Sequence, residues 1–375
     1  MPASIRLGRV GGIPIALHYS WFIIATLITL SLEAHFRSTE PDWGMPIIWM
    51  TSVMTALLFF VSLLAHELAH AIVAQARGLP VRSITLFALG GVAQIEKDAS
   101  TAKTEFLVAI VGPITSLVIG FACIGIAWSM GWSVGDGAGG LIAAVLGWLG
   151  SINVALALFN LIPGYPLDGG RVLRALLWGI YGDRDRATRN AARTGQAVAA
   201  IFIAWGLVQF FAGAGFSGLW LAFIGWFLLT AAQASYTQVT IGEALRGVRV
   251  SEVMADDCIT VDAAVNLQSL VDLLLRTGRR CIVVKRDGRV LGLVTANEVR
   301  GIARDRWQDV TAEAVMRPLD QLKTVGPDTP VTEAFTLMAR EDLNQLPVVS
   351  GGRLEGIVSR GQILQLLQSR AELRA

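Results

Sequence analysis

The chain has 375 residues, of which 53% are hydrophobic and 16% charged, and its net charge is +2. This composition is too apolar and too sparsely charged for an ordinary soluble protein of that length, and it indicates a membrane protein. The cysteines are few and scattered, which excludes a disulfide framework and a cysteine zinc site: Cys123, Cys258 and Cys281.

Long runs without charged residues predict membrane-spanning helices in the first two thirds of the chain. The first predicted span covers residues 14–32. Four further runs each exceed the roughly 20 residues that a helix needs to cross a bilayer, at 43–65, 106–135, 137–167 and 194–242. Glycines at 213 and 215 predict a tight turn that divides the last run into two spans. We therefore expect a polytopic α-helical membrane domain of about six transmembrane helices in residues 1–240.

The distribution of basic residues predicts the orientation of these helices. Cations precede the first predicted span, separate the second from the third, and follow the fourth, at Arg6, Arg9, Arg77, Arg82, Lys97, Lys103, Arg171, Arg174, Arg184, Arg186 and Arg189. The intervening loops, 33–44 and 131–140, have Arg37 as their only cation and carry the acidic residues Glu33, Glu40, Asp42 and Asp136. By the positive-inside rule, we expect a multi-pass protein of the cell membrane with both termini in the cytoplasm.

The sequence changes character after about residue 242, where charged residues return and short apolar runs alternate with amphipathic ones. Two motifs recur in this part, at Val253-Met254 and Val315-Met316, and at Gly292-Leu293-Val294-Thr295 and Gly356-Ile357-Val358-Ser359. An internal duplication is the simplest explanation. We therefore predict a soluble, cytosolic α/β domain over residues 241–375, with repeats at about 248–305 and 310–370.

Each repeat has the pattern strand, helix, strand, tight turn, strand, helix, with turns predicted at Asp287-Gly288 and Gly351-Gly352. This order, with its Gly-Leu-Val-Thr type of strand end, resembles a tandem pair of CBS domains. The resemblance implies a dimerisation module, through which the chain would form a homodimer, or a sensor of adenine nucleotides of the ATP or AMP type.

The nucleotide interpretation assigns three candidate contacts, namely Thr295, Glu298 and Ser359. The CBS family often places an Asp three residues after the Thr to bind ribose hydroxyls, whereas this chain has Glu298 and Gln362 at those positions. A carboxylate at 298 is still able to accept a ribose hydrogen bond, but an amide at 362 is a poorer acceptor. A purely structural role of the pair therefore stays open.

The motif His66-Glu67-Leu68-Ala69-His70 lies near the end of the second predicted span. On a helix, its two imidazoles share one face a turn apart and can bind one metal ion, while Glu67 can accept a proton from the attacking water. The alternative is that the histidines merely cap a span at the interface. Ionisable groups beside a long charge-free run are costly at membrane depth and usually mark a functional site, which favours the metal site.

A catalytic zinc site needs a third protein ligand, and Asp168 is the candidate. It lies in the segment 160–171, whose two prolines and three glycines prevent a continuous helix at the end of the fourth predicted span. The second and fourth spans run in the same direction, so we expect His66, His70 and Asp168 at one membrane depth. Taken alone, Asp168 would be an ordinary helix cap.

The membrane half resembles the site-2 protease family of intramembrane metalloproteases. The resemblance rests on several spaced motifs in order, at Gly11-Gly12-Ile13-Pro14-Ile15, His18, His66 to His70, Leu89-Gly90-Gly91-Val92-Ala93, Gly112-Pro113 and Asn160 to Arg171. It implies one zinc ion per chain with His66, His70 and Asp168 as ligands. By the same resemblance, Glu67 is the general base and Asn160 binds substrate or stabilises the oxyanion, and a hairpin at 87–95 pairs with an unwound substrate strand.

A zinc-dependent intramembrane endopeptidase is therefore the expected activity. The resemblance implies a membrane-anchored, single-span substrate such as a regulator of transcription, cut in or near its span within the lipid bilayer; no nucleic-acid partner is expected. Two alternatives stay open. One is another class of membrane zinc protease that takes a Glu as third ligand, and the other is a channel or transporter regulated by a CBS pair.

Overall fold

The computed structural model describes residues 4–88, 90–95, 97–133, 140–256, 258–278 and 281–372, without the side chains at 214 and 371. Leu89 of the predicted hairpin and residues 134–139 of the predicted loop 131–140, Asp136 among them, lie outside the described residues. The chain divides into two compact units, Met1–Val239 and Thr240–Ala375.

The first unit is mainly helical. Its helices are α1 (Ser20–Thr39), α2 (Met45–Ala76), α3 (Ala102–Ser129), α4 (Leu141–Asn160), α5 (Asp168–Tyr181), α6 (Arg184–Gln209) and α7 (Phe216–Ala244). Within the described part of the chain, five helices are long and apolar enough to cross a membrane: α2, α3, α4, α6 with the turn that follows it, and α7. The expectation of a polytopic helical membrane protein is confirmed.

The first predicted span differs from the structure. Residues Ile13–His18 form strand β2, and α1 begins only at Ser20. The last turns of α1 carry Glu33, His35 and Arg37, and this helix is not among the five apolar candidates. The structure thus offers five candidate spans instead of about six, because the apolar run at the start of the chain is shared between a strand and a helix with a polar end.

Four strands of the first unit form one sheet in chain order, β1 (Ser4–Val10), β2, β3 (Val81–Phe87) and β4 (Gly90–Ile95). Strands β2 and β3 are parallel, whereas β1 with β2 and β3 with β4 are antiparallel, and β4 is an edge strand. Ile84 of β3 and Ala93 of β4 pack with Ala71 of α2. The hairpin around segment 87–95 therefore lies against the helix that carries the histidine motif.

Glycines allow close contacts between the membrane helices. A Cβ atom at Gly150 of α4 would lie 2.8 Å from the carbonyl oxygen of Gly120 of α3, so the two backbones approach directly. Helices α6 and α7 are joined by a π-helical turn at Phe210–Ala214, followed by Gly215. Gly213 and Gly215 have φ angles of 95° and 55°, which favour glycine, so the predicted turn between the last two spans is confirmed.

The second unit contains two sheets. Its strands are β5 (Thr260–Asp262), β6 (Cys281–Arg286), β7 (Arg289–Thr295), β8 (Arg317–Pro318), β9 (Gln345–Ser350) and β10 (Arg353–Ser359), and its helices are α8 (Leu267–Thr277), α9 (Ala296–Arg300), α10 (Ala312–Val315), α11 (Val331–Arg340) and α12 (Arg360–Glu372). Strands β5 to β8 form a four-stranded sheet, and β9 pairs with β10. Both predicted tight turns are present, because Asp287, Gly288, Gly351 and Gly352 all have positive φ angles.

Each repeat has its own apolar core, but the start of the second unit packs in the core of the second repeat. Val248 and Val250 belong to the cluster around Met338 and Leu346. The N–H of Val250 donates to the carbonyl of Thr329 at 2.9 Å. A smaller cluster of Val283, Leu293 and Ile357 joins the two repeats. The repeats therefore form a single unit, with the first segment contributing to the core of the second repeat.

Candidate metal centre

The two histidines of the motif lie on one face of α2, as their spacing predicts. His66 and His70 are 2% and 4% exposed. Their rings stand edge to face, with centroids 4.9 Å apart. A long apolar helix therefore buries two imidazoles side by side.

Asp168 reaches these histidines from the break between α4 and α5. Helix α4 ends at Asn160 and α5 begins at Asp168, so the predicted interruption of the helix is present. The connecting loop is held tightly against α6, since a Cβ atom at Gly164 would lie 2.6 Å from Cα of Gly195. This close packing fixes the first turn of α5 and with it the position of the carboxyl group.

The three side chains meet at nearly equal distances. Nε2 of His66 and Nε2 of His70 are 3.2 Å apart, and each lies 3.2 Å from Oδ2 of Asp168. Within the described residues, they form a group of three side chains able to hold a metal ion. The carboxyl group of Asp168, which was predicted as the third ligand, thus lies beside the histidine pair.

The hydrogen bonds at the outer ring nitrogens determine which atoms face the centre. Nδ1 of His70 lies 2.6 Å from the carbonyl oxygen of Val108, which can only accept, so Nδ1 must carry the proton. Nδ1 of His66 lies 2.9 Å from Oγ of Ser116, which can accept its proton in the same way. In neutral imidazoles both Nε2 atoms then present lone pairs to each other and to the Asp168 carboxylate. Such a group of acceptors requires a cation between them.

A tetrahedral zinc ion fits this donor set. Zinc bonds to nitrogen and carboxylate oxygen of about 2.0–2.1 Å place neighbouring ligand atoms about 3.3 Å apart, close to the separations of 3.2 Å in this triangle. Two neutral imidazoles and one carboxylate also leave one coordination position for water or substrate, as in catalytic zinc sites.

The Asp168 carboxyl, on a helix outside the five candidate spans, is ionised at neutral pH. Burial by itself raises the pKa of Asp168, but the rings of His66 and His70 outweigh that effect when one of them carries a proton on Nε2, and they then hold the pKa of the carboxyl well below its usual range. The carboxyl is therefore ionised as long as a cation, either that proton or a metal ion, lies among the three groups.

Comparison with known proteins agrees with this geometry. The family model described as peptidase family M50 matches residues 54–139 and 136–203, and that of the CBS domain matches residues 250–304 and 312–369. A Mycobacterium tuberculosis relative named as a zinc metalloprotease, Rip3, is 35% identical over 98% of this chain and 93% of its own length. The chain belongs to peptidase family M50.

A second relative, named as a zinc metalloprotease (sll0528) of Synechocystis, is 34% identical over 99% of this chain and 97% of its own length. The solved site-2 protease of Methanocaldococcus jannaschii is 29% identical, covers 62% of this chain and 95% of that one, and gives a TM-score of 0.42. The predicted resemblance, the CBS pair and the metalloprotease activity are confirmed, which decides against the channel or transporter.

Glu67 of this M50 peptidase lies beside the triad and beneath strand β4. A Cβ atom at Gly91 would lie 2.4 Å from Cγ and 2.9 Å from Oε1 of Glu67, so the strand backbone touches this side chain directly. The predicted base and the predicted substrate-binding edge strand are therefore in contact. Gly91 belongs to one of the motifs noted above, but nothing in the sequence indicates this contact.

Asn160 is the last residue of α4 and is half-buried at the start of the loop that leads to Asp168. The structure thus places it near the break in the helix rather than in the middle of a span. The role assigned to this amide, binding the substrate or stabilising the oxyanion, stays a prediction.

The three candidate nucleotide contacts do not all line the same cleft of the second unit. Thr295 and Glu298 line a cleft of about 800 Å³, whereas Ser359 is not among the residues that line it. Glu298 accepts hydrogen bonds from the backbone N–H and hydroxyl of Thr295 and pairs with Arg317 at 3.2 Å. Gln362 accepts in the same way from the N–H and hydroxyl of Ser359, at 2.8 and 2.7 Å. Both residues therefore already serve as helix caps.

Residues of α3 that contact the histidines and the start of α5 were not predicted from the sequence. Val108 and Ser116 bond to the two histidines, and Glu105 pairs with Arg171 and Arg174 of α5. Two features of the sequence could have indicated these residues. They are spaced three and eight positions apart on one apolar span, and the carboxylate of Glu105 beside that span is costly within the membrane unless a cation pairs with it.

Proposed function

We propose that this M50 peptidase hydrolyses a peptide bond within or beside the transmembrane segment of a membrane-anchored protein. The observation that carries the proposal is the triangle of ligand atoms from His66, His70 and Asp168, each pair 3.2 Å apart, on helices of an apolar unit. We assign these three side chains as the ligands of one zinc ion. Bound there, zinc would polarise the scissile carbonyl and lower the pKa of a water molecule to about 7.

In this proposal, the protein groups transfer protons and orient the substrate. Glu67 accepts a proton from the attacking water and passes it to the leaving amine. The Asn160 amide donates a hydrogen bond to the substrate or to the developing oxyanion. Nδ1 of each histidine is held by its hydrogen bond, which keeps the Nε2 atom of each ring directed at the proposed zinc position.

We propose that the substrate binds as an extended strand along β4. An intact helix hides its carbonyls in internal hydrogen bonds, so the substrate segment must unwind before attack is possible. The outer edge of β4, which pairs with no further strand among the described residues, supports this step, because an extended chain can add to it by backbone hydrogen bonds next to Glu67. Residues that destabilise a helix should therefore favour cleavage, and a single-span regulatory protein is the class of substrate we expect.

We also propose that the CBS pair binds an adenine nucleotide in the cleft lined by Thr295 and Glu298. The cleft carries cations able to bind phosphate, namely Arg300, Arg317 and Lys323. We further propose that α1 crosses the membrane as a sixth helix beside the five apolar candidates, because the basic segments between the predicted spans support a cytoplasmic position for this unit and for both termini, in a multi-pass protein of the cell membrane.

The decisive experiment compares Glu67→Gln with the wild type. The full chain is reconstituted in vesicles with single-span peptides that differ only in a Gly-Pro pair at mid-span. We expect Glu67→Gln to keep one zinc per chain but to cleave about 10²–10⁴-fold more slowly, the usual contribution of a positioned base. Glu355→Gln, the same chemical change at an exposed position of β10, should match the wild type. Equal cleavage by Glu67→Gln and wild type would reject the mechanism.

A further inference from the structure

Helix α3 provides no ligand of the triangle, yet its side chains and backbone are linked to all three ligands. We propose that α3 is the positioning element of the centre: Ser116, the Val108 carbonyl and Glu105 hold the ligands in place, and Gly112 leaves the space that the metal ion needs. The inference rests on the proposed function, because it takes His66, His70 and Asp168 as the ligands.

The residues concerned lie on one face of α3. Positions 105, 108, 112 and 116 are three or four residues apart, the spacing that lines up side chains along a helix. All four are buried. One face of α3 therefore packs against the histidines and against α5, the helix that carries Asp168.

Two of these positions bond to the outer nitrogens of the histidines. Ser116 is fully buried, and its Oγ lies 2.9 Å from Nδ1 of His66. The Val108 carbonyl lies 2.6 Å from Nδ1 of His70. Since a proton held at Nδ1 leaves Nε2 with its lone pair, these contacts select the tautomer in which both rings can bind a metal.

Glu105 acts on the third ligand through α5. Its side chain is buried, and Oε1 accepts from Nε of Arg171 at 3.1 Å and from the guanidinium of Arg174. These two arginines follow Asp168 on the first turns of α5. A buried carboxylate between two cations is a strong and specific link, because removing either sign leaves an uncompensated buried charge. Glu105 thus fixes the turn of α5 from which Asp168 projects.

Gly112 leaves the space beside the ligand atoms empty. A Cβ atom there would lie 2.1 Å from Nε2 of His70 and 2.7 Å from Nε2 of His66. Real Cβ atoms essentially never come so close to other heavy atoms, so a methyl group at this position would push the two rings out of the positions in which their Nε2 atoms converge. Glycine therefore lets α3 approach the histidines this closely and leaves the space around both nitrogens open.

The test measures metal binding rather than proteolysis. The full chain in detergent is freed of metal with a chelator and titrated with Zn²⁺ against a coloured competitor, and the visible absorption of bound Co²⁺ reports the ligand geometry. For Ser116→Ala and Glu105→Gln we expect about 10–100-fold weaker zinc binding, typical of lost support around a ligand, and a changed Co²⁺ spectrum. For Gly112→Ala we expect no measurable zinc binding.

Matched controls lie on the same helix. Gly125→Ala places the same methyl group where nothing lies within 4 Å. Ser129→Ala removes the hydroxyl of an exposed side chain, which donates to the carbonyl of Ile126 in the same helix. Both controls should bind zinc and Co²⁺ like the wild type. Gel filtration of each metal-free variant reports whether it folds. If Gly112→Ala does not fold, the zinc affinity of Ser116→Ala, which lacks only one oxygen atom, tests the positioning role of α3.

The outcomes separate this inference from the proposed function. If the wild type binds one zinc per chain and both Ser116→Ala and Glu105→Gln bind it equally tightly with an unchanged Co²⁺ spectrum, the role of α3 is refuted and the assigned ligands remain. If the wild type binds no zinc, both proposals fail. Weaker binding in the three α3 variants, with unchanged controls, supports the inference.

Discussion

The metal centre and the CBS cleft use similar polar side chains in opposite ways. In the first unit, His66, His70 and Asp168 direct three acceptor atoms at one another, and only a cation between them relieves the conflict. In the second unit, the acceptors of Glu298 and Gln362 are already bonded to the N–H and hydroxyl groups of Thr295 and Ser359. Acceptor atoms that converge on one another indicate a cation site. Acceptor atoms that already receive hydrogen bonds from nearby N–H and hydroxyl groups are compatible with a structural role.

The largest effect should come from removing the charge of the third ligand. Loss of a bond that supports a ligand typically weakens metal binding about 10–100-fold. We expect Asp168→Asn, which changes a ligand itself, to weaken zinc binding by more than this and to abolish proteolysis. Zinc content after dialysis, measured by elemental analysis, checks this. Asp42→Asn, in an exposed loop, is the matched control. One retained zinc per chain in Asp168→Asn would place the metal elsewhere.

A smaller and more selective effect is expected from Gly91→Ala. The added methyl group would lie 2.4 Å from Cγ of Glu67 and must displace that side chain. We therefore expect kcat to fall by at least about tenfold, part of the 10²–10⁴-fold that a positioned base contributes, with zinc content unchanged. Gly179→Ala, where nothing lies within 4 Å, is the control. An unchanged kcat would show that Glu67 does not need its present position.

The smallest effects should arise in the second unit. Glu298→Ala and Gln362→Ala each remove one half of a capping interaction, which should cost about 0.5–2 kcal/mol of local stability, measured by hydrogen exchange of α9 and α12 in the full chain. Only Glu298 lines the cleft, so only Glu298→Ala should also weaken AMP binding in calorimetry. Equal AMP affinity in the two variants and the wild type would leave both residues as caps alone.

The grouping of His66, His70 and Asp168 was predictable because the signals for it are local. The spacing of His66 and His70 defines a helix face, and the prolines and glycines before Asp168 require a break in the helix. The two halves of the chain and the tight turns of the repeats were predictable for the same reason.

The first sheet was not predictable, since it depends on distant partners. The parallel pairing of β2 with β3 joins Ile15 to Ile84, and a short apolar run such as 13–18 fits a strand or the start of a helix equally well. The contacts of α3 were not predictable for a related reason. The partners of Ser116 and Glu105 lie on α2 and α5, and no periodicity within α3 identifies them.

The separation of the ligands along the chain has a consequence for biosynthesis. His66 and Asp168 are 102 residues apart, and α3 and α4 lie between them. During synthesis, the histidine pair is therefore made well before the aspartate. The three side chains can come together only after α3, α4 and the start of α5 have been made, so a chain interrupted before Asp168 carries the two histidines without their carboxylate.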